Sequence, residues 1–247
     1  MSNPKKRAAP DQDGEGGKKK KKKSAFAVDE TLLNGELGIN ESFAVMDNQL
    51  LADYTAQKLT RFGTDLSSVE LSDLSISANS IKDTTSWTEP RSLDKLSDFL
   101  EKFAEKPEKL GTAPEKKGAP HTIIVAGAGL RAADIVRAVR RFQSKKNTVS
   151  KLFAKHMKVD EQVKFLQNTR TGIAVGTPAR LMELADNGAL SLEKLHRLVV
   201  DASHIDQKKR GVMDMKETML PLARWLTRKE FKERYADEKR PLDLMFY

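Results

Sequence analysis

Two short stretches carry the side chains best able to meet a ligand. They are Gly172-Ile173-Ala174-Val175-Gly176-Thr177-Pro178-Ala179-Arg180-Leu181 and Leu198-Val199-Val200-Asp201-Ala202-Ser203-His204. Each is an apolar run that ends abruptly in polar residues. That is the pattern of a strand buried on both faces delivering a loop to the carboxyl edge of a parallel sheet, the edge where open α/β sheets bind ligands. In the first stretch Thr177 suits an N-cap and Pro178 the first helical position. The free backbone N–H groups there, with Arg180, suit a phosphate; the plainer reading is a helix cap beside a surface charge. In the second, Asp201 stands where nucleotide hydrolases hold magnesium. Ala202 follows it, so no second carboxylate can orient a water, and the plainer reading is a polar residue ending a strand.

A third stretch, Gly127-Ala128-Gly129-Leu130-Arg131-Ala132, follows the apolar run Thr122–Ala126 and fits Gly-x-Gly-x-x-Gly/Ala, the spacing of a dinucleotide-binding turn. On that reading the chain is an NADP-binding Rossmann-type oxidoreductase. The next strand should then end in an acidic residue for the ribose. It ends in Phe153-Ala154-Lys155. A lysine suits a cofactor with an extra phosphate, but no catalytic Tyr-Lys or His-Asp set follows.

These loops need a scaffold. Apolar runs at 122–126, 148–153, 172–176, 198–200 and 242–247 alternate with helical patterns, the signature of a parallel sheet with right-handed crossovers. The domain is expected over 121–247. Before it, residues 105–120 are rich in Lys, Glu, Pro and Gly and read as a linker. Residues 41–104 read as an arm. It has a helical stripe from Phe43 to Phe62 ending near Gly63, a stretch at 64–92 pinned by Leu66, Ile76, Ile81 and Trp87, and a second amphipathic helix at Leu93–Phe103.

The chain carries 44 Lys and Arg against 35 Asp and Glu, and the excess sits at two ends. Residues 1–23 hold nine basic and three acidic side chains, and residues 207–240 hold eleven and six. Lys5, Lys6 and Arg7, then the unbroken run Lys18, Lys19, Lys20, Lys21, Lys22 and Lys23, predict a disordered tail over 1–40 that serves as a nuclear localisation signal, a nucleic-acid arm, or both. There is no cysteine, which removes disulfides and thiolate chemistry and fits a reducing compartment. The four histidines, at 121, 156, 196 and 204, show no ligand spacing. No apolar run approaches the ~20 residues of a membrane span.

The loop residues together resemble the first RecA-like domain of DEAD-box RNA helicases. Thr177-Pro178-Ala179-Arg180 stands where that family has Thr-Pro-Gly-Arg, and Asp201-Ala202-Ser203-His204 where it has Asp-Glu-Ala-Asp. The likeness reaches back through 149–156, 161–166 and the strand at Ile123. With the polylysine head, Leu71-Ser72-Asp73-Leu74-Ser75-Ile76 and Asp83-Thr84-Thr85-Ser86-Trp87, the chain is similar to the Cms-one family, helicase-like proteins of the small-subunit processome.

That resemblance implies an α/β, RecA-like parallel sheet flanked by helices, a degenerate helicase domain. It implies a non-enzymatic ribosome-biogenesis factor of the early small-subunit (90S) pre-ribosome in the nucleus and nucleolus. Its partners would be pre-ribosomal RNA or snoRNA and assembly proteins, with no membrane and no small-molecule substrate. An ATPase of this type needs a Gly-Lys-Ser/Thr loop and a carboxylate pair. No Gly-Lys-Ser or Gly-Lys-Thr occurs, the pair is reduced to Asp201-Ala202, and no second RecA domain is expected after the fifth strand. No catalytic residue, metal or cofactor is assigned. The resemblance carries candidate RNA-backbone contacts onto Gly127, Gly129, Arg131, Lys155, Thr177 and Arg180. The remaining reading is a protein-interaction scaffold without RNA contact.

Overall fold

The computed structural model describes residue 1, residues 30–154 and residues 157–247. The basic groups Lys5–Arg7 and Lys18–Lys23, and the candidate Lys155, lie outside the described residues.

A two-residue antiparallel hairpin, β1 (Leu33–Asn34) and β2 (Ile39–Asn40), comes first. Next are α1 (Asn48–Phe62), α2 (Ser68–Asp73) and α3 (Leu96–Lys102). The alternating part then runs β3 (Thr122–Val125), α4 (Gly129–Ala138), β4 (Thr148–Leu152), α5 (Val159–Asn168), β5 (Thr171–Gly176), α6 (Pro178–Asp186) and β6 (Arg197–Val200). It ends with α7 (Lys216–Leu226), α8 (Lys229–Tyr235) and β7 (Asp243–Phe246). Five strands form one sheet in the order β4-β5-β3-β6-β7, every pair parallel. This is the α/β architecture expected from the sequence.

Every residue of β3, β5 and β6 is buried, because helices cover both faces. Side chains alternate between two cores with the strand period of two. Ile123, Val125, Leu198 and Val200 face one way and meet Leu51 and Leu59 of α1, Leu181 of α6 and Trp225 of α7. Ile124, Ile173, Val175 and Val199 face the other way and meet Ile135 and Val136 of α4 with Leu96, Phe99 and Leu100 of α3. The helices at residues 48–62 and 96–102 therefore cover opposite faces of the sheet.

Between them the chain wraps the β7 edge. Ile81 makes a parallel bridge to Leu244, and Lys82 N–H donates to the Leu244 carbonyl at 2.8 Å, covering backbone that an open edge strand would expose. The stretch at 64–92 is not wholly extended. Ser67 and Glu70 form a reciprocal capping box that opens α2. Residues 105–120 are held against the domain. Leu110 is fully buried, and the Arg170 guanidinium donates to the carbonyls of Ala113 (2.8 Å) and Pro114 (3.0 Å). Gly118 has φ +63°, and a Cβ there would stand 2.4 Å from the Ala189 carbonyl oxygen, so this turn requires glycine.

Candidate functional site

At the carboxyl edge, β3 and β6 are neighbours whose chains leave in opposite directions, β3 toward β4 and β6 toward β7. That is a topological switch point, where an open α/β sheet leaves a crevice for ligands. Here a side-chain pair occupies it. Arg131, in the first turn of α4, sends Nε to Asp201 Oδ2 and Nη2 to Asp201 Oδ1, both at 2.8 Å. The Asp201 side chain is 2% exposed and that of Arg131 11%. Burial alone would lower the Arg131 pKa; the hydrogen bonds and charge of Asp201 outweigh it, and the net shift is upward. Both carboxylate oxygens are engaged by the fork of the guanidinium.

The walls of the crevice are protein. The hairpin docks along the loop after β6, with Asn40 N–H donating to the Ser203 carbonyl (2.7 Å) and Ile205 N–H to that of Gly38 (2.9 Å). Burial first, then the Arg131 charge, hold the His204 imidazole below its ordinary pKa. Over the β3 turn lies Val212. A Cβ on Gly127 would come 3.3 Å from the Val212 Cα, so the close approach that favours glycine here is that of the chain's own backbone. Gly129 opens α4, and Leu130 beside it is 67% exposed.

At α6 the expected cap geometry is present in the backbone. Thr177 is extended (φ −92°, ψ 149°) and Pro178 takes the first helical position, but the Thr177 side chain makes no capping bond. Arg180 turns into the protein. Its Nη1 donates to Gln162 Oε1 (2.7 Å) and to the Met157 carbonyl (3.2 Å), and its Nε pairs with Glu183 at 3.0 Å. Gln162 is fully buried, and its Nε2 donates to the carbonyls of Lys151 and Phe153, each at 3.1 Å. Arg180 thus fixes the amide that caps β4.

The dinucleotide reading fails on topology. In that fold the strand bearing the ribose-binding residue lies beside the strand before the glycine turn. Here β5 separates β3 from β4, which puts the end of β4 roughly 10 Å away at two strand spacings. Among the described residues no group of three or more His, Cys, Asp or Glu side chains could hold a metal, and no helix is long and apolar enough to cross a membrane.

Sequence reasoning missed Arg91. It is 2% exposed, donates to the Phe246 carbonyl and to Thr84 (O at 3.2 Å, Oγ1 at 3.0 Å), and burial lowers its pKa to about 10. Nearby, Trp87 packs edge-on against Phe99 with ring centroids 5.6 Å apart. The run Asp83–Trp87 therefore contributes Thr84 and Trp87 to a buried anchor. Its excess of Thr and Ser beside a lone Trp was the available signal.

The family model described as CMS1, U3-containing 90S pre-ribosomal complex subunit, matches residues 1–247. The chain is 61% identical over 245 residues to Protein CMS1 of Chaetomium thermophilum, spanning 99% of this chain and 97% of that one. It is 27% identical over 204 residues to Protein cms1 of Schizosaccharomyces pombe, spanning 83% and 72% of the two chains. To Protein CMSS1 of Homo sapiens it is 38% identical over 122 residues, spanning 49% and 43%. Among solved structures, a DEAD box protein from the hyperthermophile Methanococcus jannaschii aligns at a TM-score of 0.40 with 16% identity, over 64% of this chain and 37% of that chain. S. cerevisiae dbp5 aligns at 0.37 with 14% identity, over 62% and 34%. On the family match along its whole length, and on the identity it shares with a near-full-length relative, the chain belongs to the CMS1 family of U3-containing 90S pre-ribosomal complex subunits.

Proposed function

We propose that this chain is a non-enzymatic assembly subunit of the early small-subunit pre-ribosome, working in the nucleus and nucleolus and contacting pre-ribosomal RNA or snoRNA and assembly proteins. The observation that carries the non-enzymatic reading is the Arg131–Asp201 pair in the switch-point crevice. A carboxylate bound fork to fork by a guanidinium, its charge matched and its side chain 2% exposed, presents no open face to a hydrated magnesium ion, and the nearest turn is packed under Val212. With no Gly-Lys-Ser/Thr loop in the chain, phosphates have no lysine to meet them. RNA contact along this edge, on this reading, falls to the free first-turn amides of α4, from Gly129, and of α6, at Ala179 and Arg180 behind Thr177 and Pro178; Lys155 stays a candidate from the sequence alone. Arg131 and Arg180 act by holding the edge in shape. The basic groups at Lys5–Arg7 and Lys18–Lys23 supply the nuclear address.

Affinity purification of the tagged chain at moderate salt, with its RNA and proteins identified, tests this reading. Precursor ribosomal RNA or snoRNA in the eluate supports it, and its absence together with nucleotide turnover by the purified chain defeats it.

A further inference from the structure

From Ile135 to Val159 the sequence holds eight Lys and Arg and no Asp or Glu. The fold puts part of this acid-free stretch on one rim. Strand β4 is the end of the sheet and pairs only with β5. Beside it a half-open cavity of about 270 Å³ is floored by Val136, Val149, Met157 and the half-buried ring of Phe165, and rimmed by Arg140 and Lys151. Lys145 and Lys146, both exposed, sit in the turn that leads into β4. Arg137 and Arg141 of the same stretch pair with Asp134, and with Asp98 and Glu101. Among the described residues Arg140, Lys145, Lys146 and Lys151 have no ion-pair partner.

The same edge narrows the choice of occupant. An extended peptide adding to a sheet needs the outward backbone groups of the edge strand. Thr148 and Leu152 bond inward to β5, and the outward carbonyls of Lys151 and Phe153 are taken by Gln162. With those two acceptors taken, a ladder along this edge would be interrupted. What remains for a partner is side-chain chemistry: two unpaired cations on the rim of a notch with an aromatic ring, and two more in the turn that leads into the strand. That combination suits a phosphodiester chain with an unstacked base, since bases stack on aromatic rings while cations follow the backbone. A duplex keeps its bases stacked and offers no ring to the notch.

We propose that the open edge of β4 is a binding site for single-stranded RNA, with one base seated against Phe165 and the flanking phosphates on Arg140, Lys145, Lys146 and Lys151. It rests on the reading of the chain as a pre-ribosomal subunit and lies on a different side of the sheet from the carboxyl-edge crevice.

Fluorescence anisotropy of the full chain with a short labelled single-stranded RNA tests it. In R140Q/K145Q/K146Q/K151Q, affinity at low salt should fall at least about tenfold, and the slope of log K against log salt should shrink by roughly three, at about 0.7 per phosphate contact. The basic tail adds to both chains, so the difference between them is what is read. Phe165→Ala should weaken binding roughly five- to 150-fold, the worth of one stacked base, and leave the slope in place. Crosslinking of 4-thiouridine RNA to the unaltered chain should label the peptide containing Phe165. Unchanged affinity and slope in the quadruple variant, an unlabelled Phe165 peptide, or displacement of the RNA by poly-glutamate with equal ease would each overturn the site. Precursor RNA still captured from cells by the quadruple variant, alongside unchanged binding in vitro, would remove this edge while leaving the assembly role standing.

Discussion

The Arg131 guanidinium and the Asp201 carboxylate share two hydrogen bonds of 2.8 Å across the crevice between β3 and β6. One side chain comes from the turn that would carry phosphate contacts, the other from the position that would hold a metal. Their pairing turns a ligand crevice into a structural joint between adjacent strands. Because both are buried, the joint is sensitive to removal of one partner and tolerant of removal of both.

Asp201→Ala should therefore cost about 3–5 kcal/mol, since it leaves a buried guanidinium without its counter-charge. Replacing the pair by apolar residues of similar volume, Arg131→Met with Asp201→Leu, should cost far less and fold normally. Urea denaturation of the single and double variants measures both values. A single variant as stable as the native chain would show that the pair does not hold the crevice.

Gln162 is the second joint. Its amide meets two carbonyls of the β4 edge and the Arg180 guanidinium at once. Gln162→Ala removes all three bonds from a fully buried site, and the unmet groups should cost about 1–3 kcal/mol each before relaxation. It also uncovers edge carbonyls, so self-association should rise with concentration. Arg180→Lys should also lower stability, because a lysine cannot span Gln162, Met157 and Glu183 with one planar fork. Sedimentation velocity and hydrogen exchange over residues 148–153 read the two effects separately.

How the sequence foretold these elements differs by level. Strands announced themselves, because β3, β5 and β6 are buried on both faces and must be apolar throughout. The helix at 96–102 was visible from Leu96, Phe99 and Leu100. Where its apolar side went was not, since the same stripe suits a partner protein as well as the chain's own sheet. The arginines were the hardest to place. Arg131 and Arg180 have the residue type and position of phosphate ligands, and only the geometry shows that Asp201 and Gln162 are close enough to claim them. The cations around β4 are hard to see in the sequence for a different reason: over any long segment the acidic residues before Ile135 offset the acid-free stretch after it.

Residues 105–120 show how little apolar content suffices to anchor a segment. Leu110 is the one large aliphatic side chain among them, and it is completely buried in the core that also holds Phe142 and Val149. Leu110→Ala should destabilise the whole chain by about 2–5 kcal/mol, the range for a truncated core leucine. In a free linker the same change would cost next to nothing. Thermal unfolding decides between these, and limited proteolysis should show the 105–120 segment of the native chain resisting cleavage.

His121 sets the expected pH response. Its ring is buried beside Arg197 and His196, with Nδ1 2.8 Å from the Thr122 hydroxyl. Burial first, then the charges of those two neighbours, lower its pKa from 6.5 to about 4, against a smaller opposing effect from the Leu110 backbone. Between those two values the unfolded chain holds a proton that the folded chain does not, so stability must fall as pH drops through that window. The full shift corresponds to about 3 kcal/mol. His196 and His204, both lowered and both led by burial, add in the same direction. Carboxylates with lowered pKa, such as Asp65 and Glu70, lose their share as pH falls from their ordinary values of 3.8 and 4.5 toward the lowered ones, so they do not mimic the effect near pH 6. Stability measured by urea denaturation at intervals from pH 7 to pH 4.5 should decline steadily in the native chain and more shallowly in His121→Gln. Equal slopes in the two would mean that the proton is taken up elsewhere.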